Sequence, residues 1–379
     1  MRLTSIVKGL LSIFGKALFA VLSFIVMLLL LSLLVTAIGI GIGMQGSRSG
    51  LGLTAESEQP DYSFLSGNPD SENRLLQLTL QGIILGSPPA NLPQSPFFSP
   101  WVTYGYTLQE VLKASAEDAS IKGIFLHIQS PGGTIYGAQA IFDGIRAYRE
   151  ISQKPVLAYI EGLSASGAVM AMVGADAIYA DYGSLIGSIG VIGPSFLYYN
   201  KAIAFDGGLL GSGVHTEGGI EQTTVFAGKG KDLGNPFRRV SAEELQHWQN
   251  NLENEYQDFV QHVAENRHID AAMIREQMGA QIFDNKSAEE LGLIDGTLNQ
   301  PDALAKLAEQ AGVGDDYQFV RSRSDKGNFL TQLLQGWYHA RGQTQQQRDI
   351  LQRSIRQDIC AQTAHISLVY YGDTGRLCR

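Results

Sequence analysis

The chain reads as an α/β protein built on a parallel sheet, preceded by one apolar segment long enough to cross a bilayer. Three observations predict this. From Gly123 onward, short apolar runs alternate with helical patterns, the spacing of strand–helix–strand crossover units. Two glycine motifs, Ser130-Pro131-Gly132-Gly133 and Ser164-Ala165-Ser166-Gly167, each follow such an apolar run. No charged residue occurs between Lys16 and Arg48.

That uncharged stretch contains a continuous apolar core, residues 17–38. A bilayer-crossing helix needs about 20 such residues, whereas the apolar part of a cleaved signal peptide is roughly 7–15. The expectation is therefore an uncleaved signal anchor. Arg2, Lys8 and Lys16 precede it, and no acid appears before Glu56. The positive-inside rule then places the N-terminus in the cytoplasm and the remainder outside. Residues 1–45 form this anchor unit. Residues 46–73 follow as a Gly/Ser/Pro-rich linker, carrying Glu56, Glu58, Asp61, Asp70 and Glu72 against Arg48 alone.

The folded body is expected over 74–314. Arg74–Leu85 begins it as a strand, and the five prolines of 86–100 make a loop. Thr107 is placed as the cap of a helix whose face carries Leu108, Val111 and Leu112. Strands are expected at 123–128, 155–160 and 177–181, helices at 136–149 and 167–174, and a further strand or strand edge at 186–192. Ser241-Ala242-Glu243-Glu244 fits a capping box. Leu245, Trp248, Leu252, Tyr256, Phe259 and Val263 follow at spacings of three and four, a stripe expected to pack in the core. Short helices are placed at 270–278 and 301–311. The extension 315–379 has helical patterns at 328–340 and 343–359, then a strand-like run at 366–371. Its two cysteines, Cys360 and Cys378, are the only ones in the chain. They read either as one disulfide or as two unpaired small residues.

Composition narrows the function. The net charge is −9, which offers no basic face to nucleic acid, and there is no ligand cluster at metal spacing and no phosphate-binding loop of Walker type. No metal or cofactor is expected. Ser166 sits where a strand gives way to a helix, beside small residues that admit a carbonyl. Gly132, Gly133 and Gly167 can present backbone N–H groups to a developing oxyanion. A serine hydroxyl needs a base to take its proton. His127 lies within a strand and reads as packed, and His247 and His262 lie off the apolar stripe and read as solvent-facing. His215, in a glycine-rich stretch, is the histidine open to that role. Lys231, in Gly228-Lys229-Gly230-Lys231-Asp232-Leu233-Gly234-Asn235-Pro236, is the other candidate. A lysine serves as base only when neutral, which burial beside apolar walls favours.

Taken in order, SPGG, SASG, GSIG (Gly187–Gly190) and GKGKDLGNP resemble the signal peptide peptidase A family of membrane-anchored serine–lysine proteases. The resemblance covers roughly 75–312 and includes the run FDNKSAEELGLID at 283–295. It implies a spiral of ββα units shared with Clp protease subunits and crotonases, with Ser166 as nucleophile and Lys231 as general base. It further implies Gly133 (or Gly132) and Gly167 as oxyanion hole, and Ser188 as the residue that orients the lysine. Its implied partners are extended apolar peptides such as remnant signal peptides or misfolded membrane segments, the lipid bilayer, and further copies of the chain in a ring. The implied location is the bacterial plasma membrane, with the catalytic domain periplasmic or extracellular. Ala168, Val169 and Met170 depart from the family pattern where the substrate pocket should begin. Two other readings stand beside this one: a crotonase-like acyl-CoA enzyme, and a non-catalytic membrane scaffold of the same fold.

Overall fold

The structure is a computed structural model that describes residues 62–88, 101–196, 198, 227, 229–322, 359, 360, 362 and 368–372, together with Met27. The chain divides into two compact units, Met1–Gln59 and Pro60–Arg379, and every element below belongs to the second. All but Met27 of the apolar segment 17–38, His215, the helical pattern at 328–340, and all but Ile359 of the pattern at 343–359 lie outside the described residues. No helix among the described residues is long and apolar enough to cross a membrane.

The sheet runs in the order β1 (Tyr62–Gly67), β10 (Gln318–Ser322), β2 (Arg74–Leu85), β4 (Ile121–Thr134), β5 (Val156–Ala165), β6 (Ala177–Ala180), β9 (Gly296–Thr297). From β10 to β9 every neighbouring pair is parallel. Its middle strands are near-continuous apolar runs because helices cover both faces, so alternate residues on each side are buried. Leu75, Leu76, Leu80, Ile124, Phe125, Leu126, Ile128, Val156, Leu157 and Ile160 expose essentially nothing. β3 (Val102–Tyr104) pairs with the far end of β2. β7 (Leu185–Gly187) pairs with the far end of β5 and with β8 (Ile282–Phe283). β1 falls within the stretch expected as linker and β10 within the expected extension, and both are hydrogen-bonded into this sheet.

α1 (Gly105–Glu117) starts two residues before Thr107, so Thr107 lies inside the helix rather than at its cap. Gly105 sets that start, because a side chain there would sit 2.1 Å from the Gly137 carbonyl oxygen. α2 (Ile135–Ser152) buries Ala138, Ile141, Phe142, Ile145 and Tyr148, one face at helical spacing. Thr134 caps it by accepting from the Gly137 amide. α3 (Gly167–Met172) is short and wholly buried. α4 (Ala242–Arg267) opens with the reciprocal Ser241/Glu244 capping box that the sequence spells.

The α4 stripe is a partial correction. Phe259, Val260 and Val263 are buried, but Leu245 is exposed and Trp248 and Leu252 are only partly covered. The first half of the helix runs past the core that receives the second half. His262 is also corrected. It is not solvent-facing: Nε2 lies 2.9 Å from the Met170 carbonyl oxygen and the ring stands edge-on to Phe142. Burial lowers its proton affinity below the ordinary value near 6.5. A buried neutral histidine contributes fully above the unfolded value, and its contribution is lost as pH falls through 6.5 and below, because the unfolded chain binds the proton more readily. Thermal melts should therefore show an acid-side decline below pH 6.5 that His262→Gln flattens. α5 (Ala271–Met273) continues as a wide turn through Ile274–Met278. Two further helices, α6 (Asn285–Glu290) and α7 (Gln300–Gln310), complete the body.

Candidate active site

Strand register brings the glycine motifs together. Ser130 of β4 lies opposite Ser164 of β5, and Ala165 of β5 lies opposite Gly187 of β7. SPGG, SASG and GSIG therefore occupy adjacent positions at one end of the parallel sheet, where α/β proteins place their sites. The strand expected at 123–128 does not end before SPGG. β4 runs through it to Thr134, bulged where the register with β2 shifts between Gln81 and Ile83. The Ser130 hydroxyl holds the bulge, donating to the Gly82 carbonyl at 2.6 Å and accepting from the Gly132 amide at 3.1 Å.

Ser166 joins β5 to α3 with φ 57° and ψ −114°, left-handed backbone that a non-glycine residue adopts at a cost of order 1–3 kcal/mol. Strain of that size persists only where the surroundings impose it. Here the Ser166 amide donates to the Gly187 carbonyl at 2.8 Å, and its own carbonyl accepts from Met170 at 3.0 Å. The arrangement is a sharp strand-to-helix elbow presenting a serine. Its hydroxyl donates to the Gly190 carbonyl at 3.4 Å, and the residue exposes no surface.

The candidate oxyanion donors sit beside it. A Cβ placed on Gly132 would lie 2.6 Å from the Gly167 amide nitrogen, and one placed on Gly167 would lie 3.2 Å from the Gly133 nitrogen. Both amides thus border one small space that only glycines leave open. At Gly132, φ is +91°, and its Cβ would also fall 2.2 Å from the Val369 carbonyl oxygen. Gly132→Ala combines backbone strain with a main-chain clash, and it should destabilise the fold by about 2–4 kcal/mol in chemical denaturation.

Ser188 has φ 55°, and its amide donates to Gln281 at 2.6 Å. Its hydroxyl makes no hydrogen bond among the described residues. It lines a cleft of about 640 Å³ together with Gly190, Tyr256, Ala280, Tyr370 and Tyr371. Lys231 is not part of that lining. It is exposed, on the turn that leads into α4, with no hydrogen bond or ion pair among the described residues. The turn itself is well tied. Arg238 grips Asp232 at 2.7 and 2.8 Å and Glu244 at 2.7 and 2.9 Å. Those bonds from Arg238, the chief cause, hold the Glu244 carboxyl down at about 2. Within one chain, then, Ser166, Gly132, Gly133, Gly167 and Ser188 come together, and Lys231 makes no hydrogen bond to any of them. His127 is largely covered beside Tyr159, as expected, and also bonds Glu161 at 2.5 Å. No group of acids, histidines and cysteines among the described residues could hold a metal ion.

Sequence reasoning passed over two participants. The Gly190 carbonyl that receives the Ser166 hydroxyl lies within GSIG and had no side chain to flag it. The other is the C-terminal run. β11 (Leu368–Tyr370) pairs antiparallel with β4, Val369 opposite Gly133 and Tyr370 opposite Gly132. Its strand character was readable from 366–371, but its partner was not.

A strained serine elbow facing two glycine amides, on a mixed α/β sheet, defines a Clp-protease-like fold. Residues 106–179 match the Clp protease family model, and residues 149–314 match the model of peptidase family S49. The chain belongs to peptidase family S49. It is similar to a Synechocystis protein that bears the name of a protease, 30% identical over 61% of this chain and 78% of that one. It is also similar to an Enterococcus faecium protein named for signal peptide peptidase SppA, 29% identical over 70% of this chain and 71% of that one. A third relative, from Methanocaldococcus jannaschii and also bearing a protease name, is 36% identical over 52% of this chain, and the match spans 59% of its own length.

Proposed function

We propose that the protein is a membrane-anchored serine endopeptidase that works with a Ser166–Lys231 dyad on extended apolar peptides, among them remnant signal peptides. The observation that carries this is the Ser166 elbow with the Gly133 and Gly167 amides beside it. Ser166 Oγ attacks the scissile carbonyl carbon while Lys231 Nζ takes the hydroxyl proton. The carbonyl oxygen gains negative charge and is held by the two amides. The tetrahedral adduct collapses, the peptide C–N bond breaks, and Lys231 returns the proton to the leaving amine. Water then attacks the acyl-serine by the same route and frees the enzyme. Ser188 orients the amine from the cleft it lines.

The position of Lys231 favours an assembly of several copies. The lysine is exposed, and the adjoining start of α4 turns Leu245 outward, with Trp248 and Leu252 only partly covered. A neighbouring copy seated on this face receives Lys231 into the cleft beside its own Ser188. The polypeptide up to about residue 45 supplies the anchor, which puts the site on the outer side of a bacterial plasma membrane, near membrane-derived peptides. The test is cleavage of an apolar fluorogenic peptide by the purified full chain in detergent, with and without a serine-reactive phosphonate. Complete inhibition is expected. Turnover that the phosphonate leaves untouched would contradict the reading, and turnover of an acyl-CoA thioester instead would point to the crotonase-like alternative.

A further inference from the structure

We propose that a polar cleft on the sheet, centred on Arg321 and separate from the serine elbow, is a second binding site that takes the free C-terminal carboxylate of a peptide. One face of the sheet explains why the cleft exists. α7 covers that face only at its apolar start, where Leu304 and Leu307 pack with Leu75 of β2, Phe125 of β4 and Leu157 of β5. Further along the same strands, at every second residue and so on the same face, come Gln77, Thr79 and Gln81 of β2, His127 and Gln129 of β4 and Glu161 of β5. The central strands of a parallel sheet are ordinarily apolar on both faces, because helices cover both. Here the helix stops short and the residues beyond it are polar. They leave a cleft of about 500 Å³ between β1, β2, β4, β10 and the start of α7, a size that suits a small ligand.

The lining names the ligand. Among the described residues it contains no carboxylate, and Arg321 of β10 is its one permanent charge. Arg321 donates one long bond, to Gln77 Oε1 at 3.3 Å, and has no ion pair among the described residues. A guanidinium carries five N–H donors and grips a carboxylate through two of them at once, so most of its capacity is unspent. Glu161 lies outside the lining and is bonded to His127 at 2.5 Å.

Around Arg321 the lining is neutral and polar. The Gln81 and Gln300 amides and the Thr79 hydroxyl each donate and accept, which is what the amide groups of a peptide require. Thr79 and Gln300 make no side-chain hydrogen bond of their own among the described residues. Leu65 adds an aliphatic contact. A guanidinium, neutral amides and one apolar wall in this volume match the last few residues of a peptide that ends in a free carboxylate. Inorganic phosphate would engage Arg321 and leave the other groups unused. Every cut by an endopeptidase creates one such terminus, so the products of the reaction proposed above belong to this ligand class.

The experiment uses the full chain in detergent carrying Ser166→Ala, so that no probe is cut. The probe is a trialanine peptide with a fluorophore on its N-terminus, made once as the free acid and once as the C-terminal amide. The acid should bind saturably and about tenfold or more tightly than the amide. Arg321→Gln should bring the acid down to the affinity of the amide. Arg321→Lys, which keeps the charge but not the fork, should fall between. The Arg321 side chain is exposed, so thermal unfolding should be the same in all three proteins. Binding in the groove beside Ser166 is common to acid and amide and does not respond to Arg321→Gln. Equal affinity for the two probes, or an acid affinity that Arg321→Gln leaves unchanged, overturns the proposal. Displacement of the acid by inorganic phosphate at matching concentration overturns the peptide assignment and leaves a simple anion site. Ser166 is absent from the test, so failure of the nucleophile assignment does not alter this result.

Discussion

Ser166→Ala should abolish peptide cleavage, lowering turnover by roughly four orders of magnitude or more, with the melting temperature little changed. The hydroxyl makes one long bond, to the Gly190 carbonyl at 3.4 Å, so its removal costs the fold little. The strained backbone at Ser166 remains, since it is imposed by the Gly187 and Met170 bonds to the main chain rather than by the side chain. Loss of activity without loss of stability separates a chemical role from a structural one. Parallel measurement of kcat/KM and thermal unfolding on the parent and the variant supplies both readouts.

The second large effect concerns Lys231. Lys231→Ala should be as inactive as Ser166→Ala, and its exposed side chain gives no reason for instability. Mixing the two inactive variants should restore activity. If Lys231 of one copy serves Ser166 of its neighbour, a random equal mixture in a closed ring rebuilds about a quarter of the sites, because only one in four junctions joins an intact serine to an intact lysine. No recovery after co-refolding would place both residues of each working site in one chain. The lysine turn would then have to move from where Arg238 ties it to Asp232 and Glu244. Substituting Arg238 by alanine loosens the turn and should reduce kcat if the tied position of the turn is the working one, whereas a turn that must move to reach Ser166 would leave the substitution harmless.

Much of the fold was legible because the information is local. The runs at 74–85, 123–128 and 155–160 are largely apolar, which is what a strand covered on both faces requires, and β2 has the bounds its pattern gave. The Ser241/Glu244 capping box is a purely local device and appears as spelled. Three features depended on distant partners and were not legible. β4 continues through SPGG because β2 pairs one side and β11 the other, so neighbours far along the chain keep extended what glycine and proline would locally turn. Trp248 and Leu252 have core-like spacing, yet the core stops short of them. His262 lies off the apolar stripe but reaches the Met170 carbonyl on α3.

The site divides along the same line. Ser166 and the glycines were readable because strand ends next to small residues leave a recognisable spelling, and parallel register then stacks those spellings side by side. The Gly190 carbonyl and the Val369 strand were not, since one is backbone and the other arrives from more than 200 residues away along the chain. The approach of Lys231 to Ser166 has no local signature, and within one chain no hydrogen bond joins the two.

The most direct measurement is the site of covalent attachment of a serine-reactive phosphonate, located by mass spectrometry on the full chain. The adduct should sit on Ser166, form with the same rate constant as loss of peptidase activity, and vanish in Ser166→Ala. An adduct on another residue, or peptidase activity that survives full modification of Ser166, would contradict the assignment of Ser166 as the nucleophile.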